Sequence, residues 1–320
     1  GWFEWISNMF FAALSAVGFA YIILYIVPVS ASFVPLIAIG VIAVFAVINV
    51  KGVREVGASQ VIMIGILVAI LIIYVWSGYN SGQMKALQMS ASTSPLELIQ
   101  ATAYIFVVYL GVEAIAVAQA EVKDPGKTVP RAILLTGAAL IVIYLLIAYV
   151  TLSIVPHEIL REEASPIIFA AKQTMGEIGT IILVIAGTLA ALSSVNTAIM
   201  AQSRVAFALS RDGYFPKALL KVHGRFATPH VAVCVGAVFA GVFAATGMIN
   251  FVGYATDFGF IIGFTLVNLS LIKLRRERPL LERPFKVPFY PYTPMAGIVT
   301  SLFLLAFIEL GVLVLGIELI

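Results

Sequence analysis

Nine apolar stretches follow one another along this chain, each close to the length that crosses a bilayer, and they leave few folds open. They run at about 2–27, 32–50, 57–77, 97–122, 130–155, 177–209, 229–247, 250–274 and 291–317. A helix needs roughly 20 apolar residues to span the hydrocarbon. In lipid every backbone polar group must be bonded inside the protein, so only helices or closed barrels cross. Barrel strands would be about half as long and would alternate in polarity, which these runs do not. The chain is 62% hydrophobic and 11% charged, far below the roughly 25% charged residues of a soluble domain. An all-α, multi-spanning membrane protein is the expectation.

Charge placement predicts the topology. Sixteen of the 19 Lys and Arg residues fall in alternate loops: Lys51 and Arg54; Lys123, Lys127 and Arg131; Arg204 to Arg225; and Lys273 to Lys286. The intervening loops hold only Lys85, Arg161 and Lys172. Basic loops stay on the cytoplasmic side, so residue 1 is expected inside and residue 320 outside. The net charge of +3 is spread over these loops and points to no nucleic-acid partner. Gly1-Trp2-Phe3-Glu4 lacks the charged start of a cleavable leader. The single Cys234 lies within an apolar run, so neither an intrachain disulfide nor a disulfide-linked partner is expected.

The fourth stretch carries the chemistry. Gly111 and the ionisable Glu113 sit near its middle. A carboxylate at mid-bilayer depth costs at least ~2.5 kcal/mol unless it faces a cavity or a partner. Glycine lowers helix stability, and unwound backbone at that depth survives only where it lines a cavity. Broken helices of this kind form the mid-membrane binding sites of secondary transporters. The spacing predicts a non-helical segment between Val107 and Gly111. An internal order is also visible: stretches one and six are long, two and seven short, three and eight intermediate. Stretches five apart have opposite orientation, as an inverted repeat requires.

Five motifs in register then point to a family. They are Gly111-Val112-Glu113; Glu121-Val122-Lys123-Asp124-Pro125 with Val129-Pro130-Arg131-Ala132; Ser193-Ser194-Val195-Asn196-Thr197 with Ser203-Arg204; Ser210-Arg211-Asp212-Gly213-Tyr214-Phe215-Pro216; and Leu274-Arg275-Arg276 with Arg283-Pro284-Phe285-Lys286-Val287-Pro288. Together they resemble the amino acid–polyamine–organocation transporters, from that family's third helix to its eleventh. The resemblance implies a five-plus-five inverted-repeat fold with about nine of the helices represented, lacking helices 1, 2 and 12. It assigns 1–96 to helices 3–5 of the first repeat, 97–274 to helices 6–10, and 275–320 to a cytoplasmic loop and helix 11. The implied activity is alternating-access transport of amino acids or related amines at the plasma membrane, proton-linked or by exchange. The alternative is a non-transporting amino-acid sensor on the same fold.

A zwitterionic substrate needs donors for its carboxylate and acceptors for its ammonium. The unwound backbone of Phe106, Val107, Val108, Tyr109, Leu110 and Gly111 supplies acceptors without placing full charges in low dielectric. Phe106 and Tyr109 either wall that site or simply pack. The family's third helix implies further lining by Ala12 and Ser15, whose small side chains serve helix packing equally well. Glu113 is expected to act as a proton-sensitive gate, the other reading being a neutral acid bonded to a neighbouring helix. Asp257, about two turns into the eighth stretch, would close an outer gate or satisfy a helix end, and Glu309 would be structural. Ser193 and Ser194 are the candidate cation-site hydroxyls, since Na⁺ is a hard cation that takes oxygen ligands. They could instead bond their own helix. Leu67 stands where some proton-coupled relatives have a lysine. Arg204 and Asp212 are read as cytoplasmic loop charges.

No cofactor is expected beyond H⁺ or Na⁺ coupling. The three histidines, His157, His223 and His230, have no metal-ligand spacing, and no nucleophile motif suggests an enzyme. A channel would want rings of carbonyls or charge. The oligomeric state is not legible in these residues.

Overall fold

The computed structural model describes residues 1–27, 30–52, 56–82, 94–112, 114–117, 122–163 and 165–317. Among these residues every regular element is helical. The helices are α1 Trp2–Ile26, α2 Val34–Lys51, α3 Val56–Asn80, α4 Pro95–Tyr104, α5 Ala114–Val117, α6 Pro125–Ile154, α7 His157–Glu162, α8 Pro166–Arg211, α9 His230–Ala244, α10 Ile249–Glu277 and α11 Tyr292–Ile317. Six are long and apolar enough to cross a membrane, with the shorter apolar helices His230–Ala244 and Tyr292–Phe307 beside them. The expected fourth span is divided between α4 and α5. This is the all-α membrane-transporter architecture that the apolar stretches required.

Boundaries moved where local chemistry overrode the apolar pattern. The helix expected at 130–155 starts at Pro125, because proline suits a first helical turn and Asp124 precedes it as N-cap. Pro130 therefore falls inside α6, where its missing N–H lies close to the unpaired donors of the first turns. The expected 177–209 helix is the larger part of α8, which begins at Pro166 and breaks at Gly176, with φ 64° and ψ −152°. That conformation is one only glycine adopts readily. Lys172 and Glu177 pair across the break at 2.9 Å, both largely exposed.

The buried surfaces are made of small residues and the exposed ones of large apolar residues. On α1, Ala12, Ala13, Ala16, Val17 and Ala20 are completely buried, packed with Val195, Ala198 and Ile199 of α8 and Ala240 and Ala244 of α9. Leu134, Leu135 and Leu145 of α6 are exposed, as are Val61 and Ile62 of α3. Lipid tails are as apolar as leucine, so hydrophobicity does not decide which face turns inward; close backbone approach does. Gly259 of α10 shows this directly, since a Cβ there would overlap the Ser7 hydroxyl of α1.

The packing pattern has an internal two-fold. α1 packs on α2, α9, α10 and α8, and α8 packs on α9, α2, α3 and α1. Exchanging α1 with α8, α2 with α9 and α3 with α10 sends each of these contacts onto another of the set. The contacts α1–α8 and α2–α9 map onto themselves. Sequence order runs the same way in both halves.

Side-chain polar links tie the spans together. Trp5 of α1 donates to Gln202 of α8 at 3.2 Å, and Asn49 of α2 donates to Asn196 of α8 at 2.8 Å. The Tyr74 hydroxyl of α3 meets the Thr151 hydroxyl of α6 at 2.8 Å. Such links are modest individually, averaging about 0.6 kcal/mol in membranes, but each fixes one rotation of one helix against another.

Candidate functional site

The site is built on the interruption between α4 and α5. Ser94 and Glu97 form a reciprocal capping box with Pro95 in the first turn, which pins the start of α4. Ten residues later the α-helix ends at Tyr104. At 1.5 Å per residue that is roughly 15 Å, about half of a ~30 Å hydrocarbon core. Residues Ile105–Tyr109 then form a 3-10 turn, and Gly111 follows with φ 101°. A Cβ on Gly111 would meet nothing within 4 Å, so the backbone conformation, not crowding, calls for glycine here.

Aromatic side chains hold the broken segment in place. Phe106 lies edge-on to Phe264 of α10 at 5.9 Å, and Tyr109 edge-on to Tyr144 of α6 at 5.8 Å. Tyr104 packs on Tyr254 at 4.8 Å and donates to Asn250 at 3.1 Å. Leu110 is buried, whereas Val108 and Tyr109 are exposed. The Tyr144 hydroxyl donates to the Val108 carbonyl at 2.9 Å. One of the acceptors freed by the break therefore already has a protein donor. The side chain of Val107, and Glu113 as a whole, lie outside the described residues.

The other sequence-predicted residues fall into separate surroundings. Ala12 is fully buried in the α1 core, and Ser15, nearly buried, donates to the Phe11 carbonyl of its own helix at 2.9 Å. Ser193 and Ser194 are half-buried on α8, where Thr197 donates to the Ser193 carbonyl at 3.0 Å. The helix is continuous there, so this stretch offers hydroxyls rather than unwound carbonyls. Asp257 is completely buried on α10, and neither carboxylate oxygen has a hydrogen-bond partner among the described residues. Asp212 pairs with its neighbour Arg211 at 3.2 Å on the exposed loop. The side chain of Glu309 lies outside the described residues. No group of three or more His, Cys, Asp or Glu among the described residues is placed to hold a metal.

Sequence reasoning missed Tyr144, Asn250 and Tyr254. A tyrosine inside an apolar span is itself a weak signal, because its hydroxyl must find a partner away from water. Which partner it finds depends on an element 36 residues away in the case of Tyr144 and Val108.

The geometry is a short helix of ten residues, a 3-10 segment whose Val108 carbonyl accepts from Tyr144, and aromatic pairs that support it. A sequence model of amino acid permeases matches residues 1–316. The methylthioribose transporter of Bacillus subtilis is 29% identical over 82% of this chain and 57% of its own length. A branched-chain amino acid permease of Lactococcus lactis is 35% identical over 62% of this chain and 43% of its own. An uncharacterised protein of Methanocaldococcus jannaschii is 26% identical over 83% of this chain and 62% of its own. The chain thus spans roughly half the length of the curated relatives it matches. With the family match running through every span from α1 to α11, the chain belongs to the amino acid permease family.

Proposed function

We propose that the protein to which this chain belongs is a secondary transporter of amino acids or related amines, working by alternating access in the plasma membrane. The observation that carries this reading is the break at Ile105–Gly111, which follows the ten-residue α4 and faces α6 and α10. Unwound carbonyls there suit a substrate ammonium, and the aliphatic and aromatic walls suit a small or medium apolar side chain. The relatives' printed substrates, branched-chain amino acids and methylthioribose, support a compact substrate with an apolar part. Residues 1–96 and 97–274 are proposed as parts of two inverted repeats, with Ala12 and Ser15 proposed as lining residues and Glu113 as a gating residue. Ser193 and Ser194 remain the candidate hydroxyls for a coupling cation. Residue 1 is placed on the cytoplasmic side by the basic loops.

Counterflow tests the reading. The complete protein, reconstituted in liposomes loaded with unlabelled amino acids, should take up a tritiated amino-acid mixture transiently above equilibrium. Binding of the same mixture without counterflow would assign the fold to sensing instead.

A further inference from the structure

The buried carboxyl of Asp257 has no part in the helix break as described, yet it lies against it. Asp257 is eight residues into α10, which begins at Ile249, roughly 12 Å along the helix. Tyr104, the last residue of α4 before the break, is within electrostatic range of Asp257. Contacts on both sides of the acid point the same way. Gly253, one turn before Asp257, faces the Tyr104 ring and Leu14 of α1. One turn after it, Ile261 packs with Ala103 and Phe106.

The side chain is fully enclosed, and neither oxygen is hydrogen-bonded among the described residues. The neighbouring Thr256 hydroxyl donates to the Val252 carbonyl of its own helix. Among the described residues no ion pair reaches it. The elements packed on α10 are α1, α4, the 3-10 turn and α11, and none of them contains Lys, Arg or His. Their titratable groups are Glu4 near Gly263 of α10, Tyr21 and Tyr25 farther along α1, Glu97 in the first turn of α4, Tyr104, Tyr109, Tyr292 and Glu309. On α10 itself Tyr254 is within electrostatic range of Asp257, and Lys273, Arg275, Arg276 and Glu277 lie at the far end.

A carboxylate enclosed without donors or a cation is unfavourable, and intramembrane acids of transporters recur in proton relays. Na⁺ would need a shell of several oxygens; Gly253 and Ile261, one turn either side of the acid on α10, offer no side-chain oxygen. A proton needs one group only. We propose that Asp257 is the residue that takes up and releases the coupling proton, with movement of the α4 end at Tyr104 controlling its access to water. This rests on the transport reading above. In the cycle the carboxylate accepts a proton from the open vestibule and becomes a carboxylic acid. It returns the proton to water on the other side, with no change of redox state.

The test uses the complete protein in proteoliposomes with the tritiated amino-acid mixture. A one-unit inward pH gradient supports about tenfold accumulation at one-to-one coupling. Asp257→Asn should abolish that accumulation while counterflow without a gradient persists. If Asp257→Asn does not survive extraction, Asp257→Glu decides: it should retain gradient-driven accumulation with a displaced pH midpoint. Unchanged accumulation in Asp257→Asn, an unmoved midpoint in Asp257→Glu, or accumulation by the unmutated protein on a sodium gradient alone would each overturn the proposal. Absence of counterflow in the unmutated protein overturns the transport reading and this inference with it. Intact counterflow without pH-driven accumulation overturns this inference alone.

Discussion

The hydroxyl of Tyr144 donates to the carbonyl of Val108 at 2.9 Å, joining the middle of α6 to the unwound segment. This bond gives the break a defined geometry, because a 3-10 turn alone leaves its carbonyls poorly satisfied. Tyr144→Phe removes the donor but keeps the ring that packs on Tyr109. The loss should be about 1 kcal/mol, in line with other hydrogen bonds of this kind. The expected outcome is a small fall in the melting temperature of the purified protein, with a few-fold weaker apparent affinity in counterflow. An unchanged affinity would show that the bond does not shape the site.

Gly111 sets the second expectation. With φ at 101° and open space where a Cβ would point, Gly111→Ala is strained by backbone conformation rather than collision. Such strained positions cost about 1–3 kcal/mol. Counterflow should fall sharply while yield and size-exclusion behaviour change little. Retention of wild-type counterflow would show that the segment works without the glycine conformation.

The position of the break was legible because it is written in one dimension: a glycine and an acid within an otherwise apolar stretch. The same holds for the spans, whose lengths answer to bilayer thickness. What escaped the sequence is what joins distant elements. Tyr144 reaching Val108, Tyr104 reaching Asn250 and the isolation of Asp257 depend on helix rotations that hydrophobicity cannot set in lipid. The early start of α8 escaped for a different reason. Residues 166–175 are helical but belong before the Gly176 break, where the apolar pattern is weaker. The lining role expected of Ala12 rests on the family resemblance alone; its side chain is fully buried.

A third expectation concerns close packing between α1 and α10. Gly259→Ala would drive its new methyl into the Ser7 hydroxyl, an overpacking that costs about 1–3 kcal/mol. Ser7→Ala removes the oxygen and should recover part of that loss. A double-mutant cycle on thermal unfolding in detergent should therefore show favourable coupling between the two substitutions. Simple additivity would mean that the helices separate to accept the methyl.

Topology gives a fourth. In a Cys234→Ser background, a cysteine replacing Glu158 of α7 should react with an impermeant maleimide added to intact cells. One replacing Lys217, on the basic loop after α8, should react only after permeabilisation. The opposite pattern would invert the orientation that the basic loops imply.

The two-fold in the packing has one further consequence. In a transporter whose halves exchange conformations to turn from one side to the other, a contact that the exchange sends to another contact must change. A contact sent to itself has nothing to trade. The interface of α1 with α8, where Ala12, Ala13, Ala16 and Val17 meet Val195, Ala198 and Ile199, is of the second kind. On the alternating-access reading proposed above, this interface is expected to stay fixed between the two access states, its small residues holding the two helices close throughout.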